Sequence, residues 1–137
     1  MAKSQFSGPI VSDNGFKNST TGANLGEVVL NLDIADLSAE DVYYVPVTHA
    51  GTVRVIYSCI DAAVSTADVT ITAGINGTDI TTGVVTIATA ASASGDVDSA
   101  TPTALNTVAA GDYIDLTVTG GGAGGTPAGH IAIVITL

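Results

Sequence analysis

Few side chains in this sequence are equipped for chemistry. There are two histidines, His49 and His130, one cysteine, Cys59, and thirteen carboxylates against three cations. A nucleophilic triad needs a hydroxyl or thiol beside a histidine that a carboxylate orients. His49 falls on a turn, His130 opens the last apolar run, and no nucleophile elbow is present. Metal ligation needs convergent His, Cys or carboxylate groups at short spacing. The nearest approach is Asp96-Val97-Asp98, in a loop containing Gly and Ser. It lacks the further ligands and the glycine pattern of a calcium loop, so these read as solvated carboxylates that set a turn. Asp36, Glu40 and Asp41 read the same way. The run GGGAGG at residues 120–125 is a flexible tip, not a phosphate cradle, because a strand follows it and no lysine is near. Asp112 and Asp115, three apart on an expected strand, should point to opposite faces and make no glycosidase pair. Tyr43, Tyr44 and Tyr57 suit core or interface packing better than a sugar platform. No catalytic residue, cofactor or metal is assigned, and the chain is read as a non-enzyme.

The elements that position these residues are strands. The segment from Thr52 to Ala91 is rich in β-branched residues and alternates with a period of two. Successive side chains of such a run point to opposite faces, so one face can be buried and the other wetted. Val53, Val55, Tyr57 and Cys59 alternate with Arg54, Ile56 and Ser58, which puts Cys59 on the apolar phase as a buried thiol. Val69, Ile71, Ala73 and Ile75 alternate with Thr70, Thr72 and Gly74, and Asn76-Gly77 follows as a strong hairpin signal. A two-residue turn there would pair Ile75 with Thr78, but Gly83 would interrupt the ladder. A longer loop with pairing resumed at Val84 is the alternative.

Further strands are expected at residues 27–34, 42–45, 84–90, 112–119 and 130–137. Ser38 with Asp41 makes a weak capping box, so one helical turn is allowed between the first two. Pro46 lacks an N–H and should end pairing or lie on a sheet edge. Residues 92–106 hold few large apolar side chains and should be a surface connection. The result is an all-β chain, an antiparallel sandwich or jelly-roll-like fold of seven to eight strands over residues 27–137. Residues 1–26 are polar, with Phe6, Ile10 and Phe16 as apolar anchors, and read as an extended N-terminal arm that orders on a partner.

Composition narrows the function classes. With 137 residues the chain is one domain with room for a core. A net charge of −10 repels phosphate backbones and anionic lipid, which argues against nucleic-acid and membrane partners. No apolar run is long enough to span a bilayer, and the start shows no secretory pattern, so synthesis in a cytoplasm is expected. Few charges and few aromatics suit a surface that packs against copies of itself.

Two stretches carry a resemblance. GDVDSATPTALNTVAAGDYIDLTVTGGG, with the Ile/Val-rich terminal run after it, resembles small bacteriophage structural proteins, and so does DVYYVPVTHAGTVRVIYSCIDAAVSTADVTITAGINGTDIT. FSGPIVSDNGF is similar to the start of phage head-associated proteins. These resemble the jelly-roll decoration, or cement, proteins of phage heads. The resemblance implies a homotrimer on the outer surface of an icosahedral capsid, clamping neighbouring major capsid protein subunits. Phe6, Ile10 and Phe16 would then grip the shell, and Tyr43 and Tyr44 would lie at the subunit interface. The alternative of the same fold is a receptor- or carbohydrate-binding module of a phage fibre or spike, with the tyrosines lining a glycan groove.

Overall fold

The computed structural model describes residues 26–121 and 125–137, and these form an antiparallel two-sheet sandwich. The arm anchors Phe6, Ile10 and Phe16 lie outside the described residues, as does the centre of the glycine run. The strands are β1 (Glu27–Ile34), β2 (Asp41–Pro46), β3 (Gly51–Ile60), β4 (Val69–Ile75), β5 (Thr78–Ile87), β6 (Val97–Ala100), β7 (Thr107–Val108), β8 (Tyr113–Gly120) and β9 (Gly129–Thr136). One sheet has the order β1-β9-β3-β6, with β7 also pairing β3, and the other has the order β2-β8-β4-β5. Leaving aside the two-residue β7, this alternation of eight strands between two four-stranded sheets is the jelly-roll order. The strand count is nine, because β6 and β7 form inside and just after the segment expected to be a surface connection. β6 is short and edge-placed, so only Ala100 needs to be buried and no large apolar residue marks it.

The core lies between the sheets. Ile56, Ile60, Ile133 and Ile135 from one sheet face Ile71, Ile87, Ile114 and Leu116 from the other, all nearly inaccessible to solvent. β9 is central, flanked by β1 and β3, which is why its Ile-rich face is wholly buried.

The phase expected for β3 holds only over its first residues. The β3–β9 ladder shifts between Val53 and Val55, which pair with consecutive residues, Ile135 and Val134. That bulge reverses the alternation, so Ile56, Ser58 and Ile60 face the core while Tyr57 and Cys59 face outward. Cys59 is therefore half-buried on the outer surface, not a core thiol. Asn106 supports the bulge by accepting from the Val53 N–H and donating its Nδ2 to the Val53 carbonyl, both at 2.8 Å.

At the β4–β5 hairpin both sequence alternatives are partly realised. Asn76 and Gly77 take positive φ (51° and 80°) and Ile75 pairs with Thr78, as a two-residue turn requires. After Gly74↔Asp79 the ladder breaks and resumes at Thr72↔Val84. The chain between, Ile80 to Gly83, bulges away from β4. Between β1 and β2 there is a turn in place of a helical one. Its organiser is Asp36, whose Oδ1 accepts from the Ser38 N–H at 2.8 Å and the Ser38 hydroxyl at 2.5 Å. Ser38 is thus the capped residue, not the cap. Pro46 is the last residue of β2, an edge strand, where its missing N–H leaves no gap.

Candidate functional site

The fold distributes the reactive side chains without assembling a reaction centre among the described residues. His49 is exposed in the β2–β3 turn, its Nδ1 at 2.9 Å from the Thr48 hydroxyl. Asp96 and Asp98 are neighbours, and Asp98 sits opposite Ser58 on β3. Partial burial, and then repulsion from Asp96, raise the Asp98 carboxyl above its usual range. No group of three or more His, Cys, Asp or Glu side chains able to hold a metal ion occurs among the described residues. The acidic group of Asp36, Glu40 and Asp41 is divided between turn building and solvent: Asp36 serves Ser38 and Asp41 caps the Val42 N–H at 2.8 Å.

Asp112 and Asp115 do converge, contrary to the strand-alternation argument. β8 begins at Tyr113, so Asp112 lies before it and is free of the alternation. Asp112 Oδ1 accepts from Asn76 Nδ2 at 2.8 Å, and Asp115 Oδ1 accepts from the Gly77 N–H at 3.0 Å. The Ala109 N–H and Asn76 hold the Asp112 carboxyl below its usual range. Both carboxylates brace the β4–β5 turn.

One constellation escaped sequence reasoning. The registers of β1, β9 and β3 set Asp33, His130 and Cys59 side by side in one outward-facing row. His130 Nδ1 lies 2.7 Å from Asp33 Oδ1. These residues, with Asn31, Tyr57 and Val97, line a shallow groove of about 200 Å³. The order carboxylate, imidazole, thiol is that of a nucleophile with its base. The remaining requirements are missing: Cys59 makes no hydrogen bond to His130, and the Asp33 and His130 side chains are largely exposed to water. An ion pair in that setting contributes little. No signal in the sequence could have found the row, because only strand register brings residues 33, 59 and 130 together.

The surfaces suited to partners are elsewhere. Tyr43 and Tyr44 are adjacent on β2 and point opposite ways. Tyr43 packs, half-buried, against the core, while Tyr44 is 63% exposed. Tyr44 meets Tyr113 of β8 edge-to-face, with ring centroids 5.5 Å apart at 77°. Around this pair the outer face of the second sheet carries Thr70, Thr72, Thr117 and Thr119, with Thr70 and Thr119 hydroxyls 2.6 Å apart. It is a threonine-lined face with an aromatic pair at its edge and one mostly buried carboxylate, Asp115, between the two.

The sandwich also has two unlike long edges. At one, β5 packs on β6 across the sheets. The bulged chain of β5 is stitched to the β6–β7 loop by Thr81 N–H to Ala104 O and Thr103 N–H to Thr81 O, both at 3.0 Å, and by the Thr82 hydroxyl to Thr101 O at 2.8 Å. At the other, no ladder joins β1 to β2. There the inward-facing Leu30, Leu32 and Tyr43 pack on the core yet stay only partly buried. No protein-family model matches this chain, and neither does any curated protein.

Proposed function

We propose that this chain is a non-enzymatic virion structural protein that decorates and stabilises an icosahedral phage head by clamping neighbouring major capsid protein subunits. The observation that carries the reading is the strand order, β1-β9-β3-β6 against β2-β8-β4-β5. That is the order expected if the resemblance to phage decoration proteins is sound, and it rests on register that sequence style alone did not fix. The surface supports the same reading. Its apolar and hydroxyl-bearing faces suit protein contact, and several of its carboxylates brace turns. As proposed, the protein acts as a homotrimer on the outside of the shell after synthesis in the host cytoplasm, with no nucleic-acid or membrane partner.

In this proposal Phe6, Ile10 and Phe16 engage the capsid, and Tyr44 with Tyr113 lies at the subunit interface. Tyr43, which is half-buried in its own subunit, shapes that interface from beneath. A closed trimer repeats each contact by symmetry, so modest patches suffice. Binding only the assembled shell stabilises it by mass action, by about 2.7 kcal/mol at a hundredfold excess over Kd. Adding the purified chain to heads that lack it should give saturable binding and raise their disruption temperature. Failure to bind assembled heads would overturn the reading.

One observation favours a second reading. The exposed Tyr44–Tyr113 pair is a platform on which a sugar ring can stack. On that alternative the chain is the receptor- or carbohydrate-binding module of a phage fibre or spike, and titration with host polysaccharide would perturb these two tyrosines.

A further inference from the structure

The open edge between β1 and β2 is an apolar seam without a cover among the described residues. Val28, Leu30 and Leu32 alternate on β1 toward the core, in register with the buried Ile135, Ile133 and Ile131 of β9, yet all three stay partly exposed. Tyr43 faces them from β2 and is also partly exposed. Residues in the corresponding places at the opposite edge, Ile80, Val85 and Ile87, are buried. Half-covered core side chains over most of a strand forgo stabilising burial. Beside them, β1 is a sheet edge with no further ladder among the described residues, so its outer backbone groups can pair with an added segment.

We propose that in the free protein the seam is covered by the N-terminal segment of the same chain, with Phe16 and Phe6 seated on Leu30, Leu32 and Tyr43. Three facts select this occupant over a second copy. The first is connection: the segment, residues 1–25, runs into Gly26 at the head of β1, so it is tethered beside the seam. Such tethering gives an effective concentration on the order of millimolar before any contact is made. The second is reach. Phe16 precedes Glu27 by eleven residues, enough to span up to ~36 Å, while the eight-residue β1 is about 26 Å long. The third is charge and composition. Residues 1–25 hold both phenylalanines and two of the three cations, Lys3 and Lys17, against the single carboxylate Asp13.

The sandwich keeps twelve carboxylates and one cation, Arg54, which is already paired with Glu27 at 3.0 Å. The seam is bounded by Glu27 at one end and by Glu40 and Asp41 at the other. A second copy would bring like charge to that rim, whereas the segment brings opposite charge and the aromatic bulk the seam lacks. Engaging a shell through Phe6, Ile10 and Phe16 would then require the segment to leave the seam.

The chain contains no tryptophan, so Phe16→Trp in the full-length protein provides a single reporter. The proposal predicts blue-shifted emission shielded from acrylamide, unchanged on dilution. Adding Leu32→Asn should move the emission to that of a water-exposed indole, and adding Val97→Asn at the far edge should leave it unaltered. Should Leu32→Asn fail to fold, Lys17→Glu carries the test: it should shift emission toward the exposed limit in low salt. Exposed emission in Phe16→Trp alone, shielding that survives Leu32→Asn in a folded protein, or no response to Lys17→Glu would overturn the proposal. Shielding lost on dilution would assign the seam to another copy and overturn it as well. The isolated chain suffices for every arm, so a negative result leaves the shell reading standing.

Discussion

The two long edges of this sandwich are built from similar residues and end in different states. The β5–β6 edge is sealed because Ile80 to Gly83 bulge out of β5 and bond to the β6–β7 loop of the other sheet. The β1–β2 edge has regular strands, no bulge and no cross-sheet bond of this kind. Regularity within each sheet leaves the gap between sheets unspanned, and the described residues leave Leu30, Leu32 and Tyr43 only partly buried. The lesson is that an irregular strand, with an interrupted ladder, closes the core better than a well-formed one.

The largest difference between the edges should appear on truncating a core side chain at each. Ile87→Ala removes a wholly buried side chain and should cost about 2–5 kcal/mol in urea unfolding. Leu32→Ala should cost well under the lower end of that range in a chain trimmed to residues 26–137, and more in the full-length chain, where the proposed N-terminal cover adds to its burial. Equal losses in the trimmed chain would mean that the sandwich closes the β1–β2 edge by itself. A smaller effect separates neighbours on β2. Tyr43→Ala should destabilise the fold by about 1–3 kcal/mol, whereas Tyr44→Ala should stay within about 0.5 kcal/mol while weakening partner binding.

The smallest effects are electrostatic and of opposite sign. Asp36 at the open end, held down by the Ser38 hydroxyl and N–H, and Asp68 near the closed edge, held down by the Thr89 N–H and hydroxyl, have lowered carboxyl pKa values. Each contributes stability above the ordinary value of 3.8, and that contribution is lost as pH falls below it. Asp98, raised by burial and by Asp96, does the reverse: its ionised form opposes folding, and protonation relieves this as pH falls through its raised value. Asp98→Asn should therefore raise stability slightly at neutral pH and leave it unchanged in acid, where the wild-type side chain is already neutral. Urea midpoints measured across acid and neutral pH would check both signs.

Much of the sandwich was legible in the sequence because alternation is a local property. β1 matches its expected bounds, and β4 buries Val69, Ile71, Ala73 and Ile75 as read. What escaped was set by register between distant strands. The bulge at Val53–Val55 turned Cys59 outward, though nothing near residue 54 announces it. β6 was missed because an edge strand of VDSA needs only one buried side chain. The Asp33–His130–Cys59 row and the convergence of Asp112 with Asp115 on the β4–β5 turn were illegible for the same reason. Tyr43 and Tyr44 could have been separated in advance, since adjacent strand residues must face opposite ways.

The central claim, that this jelly roll clothes a phage head, is tested most directly by counting. Quantitative mass spectrometry of purified virions from its source would give the copy number relative to the major capsid protein. The account predicts a ratio near one to one or a simple fraction of it, as a shell covered by symmetry requires. A few copies per particle would transfer the chain to a fibre or spike, and its absence from the particle would contradict the account outright.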